Sequence, residues 1–191
     1  MEKEDTRLKW DDFFLLLSLI YSSRGSCDRL RVACILVKDN KIVGAGYNGS
    51  VRGLPSCDEV GHLVIEGHCL RTIHSEKNAI YNSVADLKGA IAYINATPCI
   101  DCVKGLLQKG VEKIIYVGSY SNSKGSEDIQ KLCSEGQKIN MVQVSNDPTY
   151  LIKLLQRAID RLREPGGMFQ NLPENLFDFR NQKDVSPNQL C

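Results

Sequence analysis

The chain has 191 residues, which is enough for one domain with an ordinary apolar core and a tail. Its 24 basic and 23 acidic residues give a formal net charge of +1, which excludes bulk electrostatic attraction to nucleic acid or to an anionic membrane. The first residues are too charged for a signal peptide, and the apolar stretch 13–20 is too short to span a bilayer, so we expect a cytoplasmic protein.

Helices and strands are predicted to alternate from the start of the chain. The apolar pattern predicts a helix over Trp10–Ser22, followed by strands over 30–37 and Lys41–Tyr47 that are joined by a polar turn at 38–40. Residues 48–71 are rich in Gly, Pro, Ser, Cys and His and show no regular pattern. An irregular stretch of this length usually carries function or binds metal.

The second half of the chain continues the alternation. The predicted elements are, in order, helix 74–86, strand 89–95, helix 99–109, strand 113–117, helix 127–134, strand 138–144 and helix 148–163. Strands that alternate with helices predict an α/β fold in which helices cover the sheet. We expect one domain over 1–164, and a tail over 165–191 that is loosely ordered or forms an arm between subunits.

Two short motifs carry the chemistry. His74-Ser75-Glu76 and Pro98-Cys99-Ile100-Asp101-Cys102 supply three zinc ligands, His74, Cys99 and Cys102, and one carboxylate that need not bind the metal. Three protein ligands leave the fourth corner of a tetrahedral zinc open to water, and such a zinc lowers the pKa of that water to roughly 7. The pattern H-x-E with P-C-x-x-C is typical of zinc-dependent nucleobase deaminases.

Glu76 is the predicted catalytic acid and base. We expect it to take a proton from the attacking water and to return protons to the ring nitrogen and the leaving amine. A structural zinc knuckle is the alternative interpretation of the three ligands, and an isolated Glu76 would be an ordinary first-turn acid of a helix. The presence of the carboxylate and of Pro98 favours the catalytic interpretation.

A second metal site is predicted upstream. Eight cysteines in a chain without a secretion signal favour metal binding over disulfides, although Cys34 lies inside an apolar run and is expected to fill the core. One of His62 or His68 would be the fourth ligand, and the adjacency of His68 to Cys69 mildly favours His62. Buried thiols and ordinary loop histidines are the alternative. The candidate ligands are Cys27, Cys57, Cys69, His62 and His68.

Four stretches of the chain resemble the deoxycytidylate (dCMP) deaminase family in order and spacing, namely 26–32, 46–50, 67–74 and 76–80, and the likeness covers roughly 10–144. The metal motif alone is shared with cytidine, guanine, riboflavin-pathway and tRNA adenosine deaminases. The resemblance implies a three-layer α/β/α cytidine deaminase-like fold with a mixed five-stranded sheet. It also implies hydrolysis of dCMP to dUMP and ammonia, which feeds thymidylate synthesis, and a homo-oligomer, commonly a hexamer.

The resemblance also implies roles for individual residues. Asn48 is similar to the asparagine that holds the deoxyribose hydroxyl, and a nucleotide site for the activator dCTP and the inhibitor dTTP is implied at Gly46, Tyr47, Asn48 and Gly49. A second zinc on cysteines that match Cys27 and Cys57 is known in part of the family. Arginine binds phosphate oxygens bidentately, so the 5′-phosphate is expected to contact Arg24, Arg29 or Arg31.

Three departures from the family pattern stand out: Ala33-Cys34 replaces the usual Gly-Ala, Ser75 the usual Ala, and Val51 the usual Pro. Because Val51 lies in the implied effector loop, effector control is less firmly implied than activity. Two other functions remain open from the sequence. One is a tRNA or other polynucleotide deaminase, which would call for a basic face, and the other is an inactive, zinc-stabilised nucleotide-binding module.

Overall fold

The structure is a computed structural model that describes residues 6–65, 68–118 and 140–177, without the side chains of His68, Glu174 and Asn175. The helix predicted over 127–134 lies outside the described residues. The strands are β1 (Ala33–Lys38), β2 (Lys41–Tyr47), β3 (Gly49–Ser50), β4 (Val64–Ile65), β5 (His68–Cys69), β6 (Thr72–Ile73), β7 (Ile91–Ile94), β8 (Lys113–Val117) and β9 (Asn140–Ser145). The helices are α1 (Trp10–Ser22), α2 (Cys57–Val60), α3 (Ser75–Tyr81), α4 (Ile100–Gln108) and α5 (Thr149–Arg163), followed by a 3₁₀ helix at Glu174–Phe177.

Five of the strands form one mixed sheet in the order β2-β1-β7-β8-β9. Strand β1 runs antiparallel to both β2 and β7, whereas β7, β8 and β9 are parallel to one another. Parallel strands need a crossover connection, and α4 provides it between β7 and β8. The mixed five-stranded sheet confirms the fold class that the family resemblance implied.

Helices cover both faces of this sheet because alternate strand residues point to opposite sides. On one face, Cys34 and Leu36 of β1 belong to a buried cluster with Ala79 of α3 and Val103 of α4. On the other face, the ring of Tyr93 in β7 lies 5.2 Å from the ring of Phe14 in α1. The arrangement fixes α3 and α4 side by side on one face, and the first residue of each lies next to the predicted zinc ligands.

The predicted first hairpin is confirmed, but its first strand is shorter than the predicted range 30–37. Asp39 and Asn40 form its turn with φ values of 52° and 57°, a left-handed conformation that Asn and Asp tolerate. The strand begins only at Ala33 because two asparagine side chains replace the backbone partners of residues 30–33. Asn48 binds Leu30 O and Val32 N, while Asn95 binds Arg31 O and Ala33 N.

The helix predicted over 74–86 is also shorter and covers only Ser75–Tyr81. Its end is set by polar side chains: the Ser83 hydroxyl donates to Ile80 O and the Asn82 amide donates to Ala45 O. Residues 48–71, predicted to be irregular, contain short elements that pair locally. Strand β4 pairs with β5, and β3 pairs with β6.

The described residues form two compact units, one over Leu8–Leu155 and one that combines the described residues of Met1–Arg7 and Gln156–Cys191. In the smaller unit, Arg161 donates to Thr6 Oγ1 and Arg163 lies over the ring of Phe177. The predicted division into a domain over 1–164 and a tail over 165–191 stays a prediction. Among the described residues, no helix is both long and apolar enough to cross a membrane.

Candidate active site

The three predicted zinc ligands meet at the N-termini of two neighbouring helices. His74 is the N-cap residue of α3 and Cys99 is the N-cap residue of α4, as the sequence predicted, and Cys102 lies one turn into α4. His74 Nδ1 is 3.5 Å from Cys99 Sγ and 3.4 Å from Cys102 Sγ. The positive ends of the two helix dipoles favour thiolate at this point.

These separations fit a tetrahedral zinc ion. With Zn–S near 2.3 Å and Zn–N near 2.0 Å, two ligands at the tetrahedral angle lie about 3.5 Å apart. The three ligand atoms also all lie within 4.8 Å of one another. His74, Cys99 and Cys102 therefore have the spacing that a three-ligand zinc site requires, and such a site would leave one corner of the metal open.

The charge state of the cysteines is set by their mutual contacts. A hydrogen bond from the Cys102 thiol, opposed by burial and supported by His74, lowers the pKa of Cys99 to about 4. The contact with Cys99 and the burial of the side chain raise the pKa of Cys102. The low pKa of Cys99 favours its thiolate form, and a divalent ion would supply the charge that favours a second thiolate at Cys102.

Glu76 is buried directly beside this trio. Its side chain is 4% exposed, its Oε2 accepts a hydrogen bond of 2.9 Å from the Ser75 hydroxyl, and it contacts the Cys102 side chain. Burial is the main reason why the pKa of Glu76 is raised above its usual value. A carboxyl group with a raised pKa can both accept and release protons near neutral pH. Ser75, where the family usually has alanine, adds a donor that holds one carboxyl oxygen in place.

A cavity of about 120 Å³ is lined by His74, Cys99 and Glu76. Its walls include Leu30, Val32, Thr72, Ala96 and Thr97, for which the sequence had given no role. Apolar walls with a few polar groups are typical of pockets that hold a small ring.

The predicted second metal site is assembled from the loop before β1, helix α2 and the segment after it. Cys27, Cys57 and His62 place their ligand atoms within 4.8 Å of one another. Cys69 lies beside this group of three: its Sγ is 3.5 Å from Cys57 Sγ and its side chain hydrogen-bonds with His62. A closed structural zinc site has four protein ligands, and Cys69 is the candidate for the fourth.

In this second cluster, the pKa values of Cys69 and Cys57 are shifted in opposite directions. Burial raises the pKa of Cys69, but hydrogen bonds from the Arg71 backbone, His62, Thr72 and Cys57 outweigh it and bring the value to about 6. Burial also raises the pKa of Cys57. The contact with Cys69 raises the pKa of His62, and Asp28 adds to the effect. Of the two candidate histidines, His62 therefore lies in the cluster, whereas the side chain of His68 lies outside the described residues.

The three candidate arginines occupy different places. Arg29 lines the cavity. Arg31 is engaged elsewhere, since its Nε donates to Gly25 O at 3.0 Å and its Nη2 lies 3.7 Å from Asp58 Oδ1. Arg24 is exposed and follows the end of α1. The tertiary structure thus separates three residues that the sequence could not rank.

The implied sugar and effector residues lie together on β2 and β3. Asn48 lines the cavity and is 9% exposed, and its amide also binds the backbone of residues 30 and 32. Gly46 is needed for packing, because a Cβ atom there would approach Ala79 N to 2.2 Å. Tyr47 and Gly49 complete the predicted effector segment, which stays a prediction.

The match to a known family covers all of these residues. The model of the cytidine and deoxycytidylate deaminase zinc-binding region matches residues 8–118, which is more than half of the chain. The chain belongs to this deaminase family. Both candidate metal clusters and Glu76 lie within the matched stretch.

Several curated relatives of this deaminase chain match over most of its family region. ComE operon protein 2 of Bacillus subtilis (strain 168) is 34% identical over 126 residues, which is 64% of this chain and 67% of that protein. The deoxycytidylate deaminase of Homo sapiens is 33% identical over 123 residues, 61% of this chain and 68% of that protein. The deoxycytidylate deaminase of Mycobacterium phage D29 is 30% identical over 124 residues, 58% of this chain and 96% of that protein.

Solved structures share the fold of this deaminase chain. The dCMP deaminase from the cyanophage S-TIM5, crystallised with dCMP and dUMP, has a TM-score of 0.60 at 24% identity and covers 72% of this chain and 100% of that chain. Acinetobacter baumannii RibD has a TM-score of 0.54 at 19% identity over 78% of this chain and 39% of that chain. At these identities the likeness establishes the three-layer fold and not the substrate.

Proposed function

We propose that the chain hydrolyses dCMP to dUMP and ammonia. The observation that carries this proposal is the buried Glu76 carboxyl, which contacts Cys102 of the metal-binding trio and lines the same cavity as His74 and Cys99. The curated relatives named deoxycytidylate deaminase support the choice of nucleotide.

A zinc ion held by His74, Cys99 and Cys102 supplies an acidified water when it is bound. Glu76 takes one proton from the attacking water and delivers it to N3 as the C4–O bond forms. It then moves the remaining hydroxyl proton to the amine, so that the C4–N bond breaks, ammonia leaves and a carbonyl remains at C4. Ser75 holds Glu76 Oε2 during both transfers through its 2.9 Å hydrogen bond.

We propose that two residues lining the same cavity, Asn48 and Arg29, recognise the nucleotide. Asn48 has two N–H groups and two acceptor positions, so its bonds to residues 30 and 32 leave capacity for the deoxyribose hydroxyl. Arg29 is the arginine on the cavity wall and is proposed to bind the 5′-phosphate.

Replacing Arg29 with alanine is expected to raise KM for dCMP about 10- to 100-fold, the usual cost of losing a charge-assisted hydrogen bond. Activity on deoxycytidine, which has no phosphate, should change little, and Arg29→Lys should recover part of the loss. Arg24→Ala is the matched control, because Arg24 belongs to the same segment but does not line the cavity. Equal losses on nucleotide and nucleoside would contradict the assignment.

Ammonia release from dCMP, cytidine, dCTP and single-stranded DNA at equal concentration tests the activity. The expected result is a clear preference for dCMP. A preference for DNA would favour a polynucleotide deaminase, and no activity on any of the four would favour an inactive nucleotide-binding module.

A second zinc ion is proposed on Cys27, Cys57, His62 and Cys69. Cys27, Cys57 and His62 place their ligand atoms within 4.8 Å of one another, and Cys69 lies next to Cys57. A metal there would hold residues 48–71, where the strands among the described residues are two residues long. About two zinc ions per chain are therefore expected in the purified protein, and about one would contradict the proposal.

Regulation, assembly and location are proposed on the family resemblance. The effectors dCTP and dTTP would act at Gly46, Tyr47, Asn48 and Gly49. The protein would form a homo-oligomer, commonly a hexamer, and it would be cytoplasmic. Exposed apolar side chains between positions 51 and 70 support an interface between subunits. Molar mass in solution and ammonia release with added dCTP or dTTP test these proposals. The exposed residues are Val51, Leu54, Val60, Leu63, Val64, Ile65 and Leu70.

A further inference from the structure

Asp28 makes a contact for which the sequence gave no signal. Its Oδ1 lies 2.6 Å from His62 Nε2, while His62 Nδ1 lies 3.9 Å from Cys27 Sγ on the other side of the ring. The imidazole of His62 thus stands between a carboxylate and the thiols of the second cluster.

This geometry fixes which nitrogen can bind a metal. A neutral imidazole has one N–H and one lone pair, and a carboxylate can only accept a hydrogen bond. Nε2 therefore carries the hydrogen and donates to Asp28, which leaves the lone pair on Nδ1, facing Cys27. Carboxylates that orient a metal-binding histidine in this way are a common part of zinc sites.

Asp28 is also close to the substrate cavity. Its two neighbours in the chain, Cys27 and Arg29, both line that cavity, as do Cys69 and Thr72. The Thr72 hydroxyl lies 3.4 Å from Cys57 Sγ and 3.7 Å from Cys69 Sγ. Side chains of the second cluster therefore form part of the cavity wall, next to the arginine proposed to bind phosphate.

We propose that Asp28 is a positioning residue that orients His62 for the second metal and, through that metal, holds the Cys27 to Arg29 segment in the shape that binds the nucleotide. The inference rests on the proposed second zinc and on dCMP as the substrate. Asp28 touches neither the substrate nor the reacting atoms, so its loss should weaken binding and leave the chemical step nearly unchanged.

The expected result for Asp28→Ala is a roughly 10- to 100-fold lower affinity for the second zinc, the usual cost of losing such a carboxylate. We expect KM for dCMP to rise while kcat stays within about twofold, since Glu76 and its three neighbouring ligands are untouched. Asp28→Asn should keep most of the affinity for the second zinc and most of the affinity for dCMP, because the amide oxygen can still accept the hydrogen bond from Nε2.

Zinc content per chain is measured after dialysis of the intact protein against solutions of buffered free zinc. Asp58→Ala is the matched control for this measurement: Asp58 is also exposed and adjacent to a cluster cysteine, but it pairs with Arg31 and not with a histidine. In Asp58→Ala the second site should be half filled at the same free zinc concentration as in the unchanged protein, which we call the zinc midpoint.

Two outcomes would overturn the inference, and they differ from failure of the proposed function. If the unchanged protein holds about two zinc ions and Asp28→Ala keeps the same zinc midpoint, Asp28 does not orient His62. If the second zinc is lost and KM for dCMP does not change, the second metal does not shape the cavity. About one zinc in the unchanged protein would instead refute the proposed second centre itself.

Discussion

Replacing Glu76 with glutamine is expected to lower kcat for ammonia release by at least about 10² to 10⁴-fold, the usual contribution of one general acid and base, while zinc stays bound. The amide cannot accept and release protons, yet it has nearly the same shape as the carboxyl group. Its oxygen can also accept the hydrogen bond that Ser75 now donates to Glu76 Oε2. Steady-state kinetics and zinc analysis of the same sample measure both effects.

Glu112→Gln is the matched control for this substitution. Glu112 is an exposed glutamate outside the cavity, so its replacement should leave kcat and zinc content unchanged. Loss of one zinc ion from Glu76→Gln would mean that Glu76 is a ligand and not the proton carrier.

Replacing Cys102 with alanine should remove the catalytic zinc and lower the rate by roughly 10³-fold or more, because a bound metal supplies several kcal/mol of stabilisation to the transition state. Cys102 Sγ is 3.4 Å from His74 Nδ1, and Cys102 is 1% exposed, so a water molecule cannot easily reach this position to take the place of the lost sulfur ligand. If the proposed second zinc is present, the metal content should fall from about two ions per chain to about one, because the substitution leaves the proposed ligands of that zinc unchanged. Elemental analysis measures this change directly.

Cys34→Ala is the control for Cys102→Ala. Cys34 is also fully buried, but it packs in the core of β1, and burial keeps its pKa well above the usual value, so it stays a neutral thiol. The family usually has alanine there, so the variant should keep its zinc and its activity and lose about 1 kcal/mol of stability at most. Retention of full zinc and activity in Cys102→Ala would refute the ligand assignment.

The catalytic motif could be predicted from sequence because its geometry is local. Cys99 and Cys102 are nearly one helical turn apart, and Glu76 follows His74 by two residues, so each pair is positioned by a single helix terminus. The alternation of apolar segments likewise predicted the sheet and its helices. These features depend on neighbours in the chain and need no knowledge of distant contacts.

Element ends were predicted less well because hydrogen bonds from side chains to the backbone set them. Strand β1 begins three residues later than predicted because Asn48 and Asn95 bind the backbone before it, and both asparagines come from elsewhere in the chain. Helix α3 ends early because Asn82 and Ser83 bind carbonyl oxygens. No local apolar pattern reports such bonds.

The sequence by itself determined the α/β class through its alternating strands and helices, and it determined the deaminase motif through short spacings at the starts of α3 and α4. Only the tertiary structure showed His62 within the second cluster, placed Arg29 rather than Arg24 or Arg31 on the cavity wall, and brought Asp28 to His62. Asp28 and His62 are far apart in sequence, and their contact depends on how the segment before β1 meets the segment after α2. Contacts of this kind follow from packing between segments, which spacing along one segment does not encode.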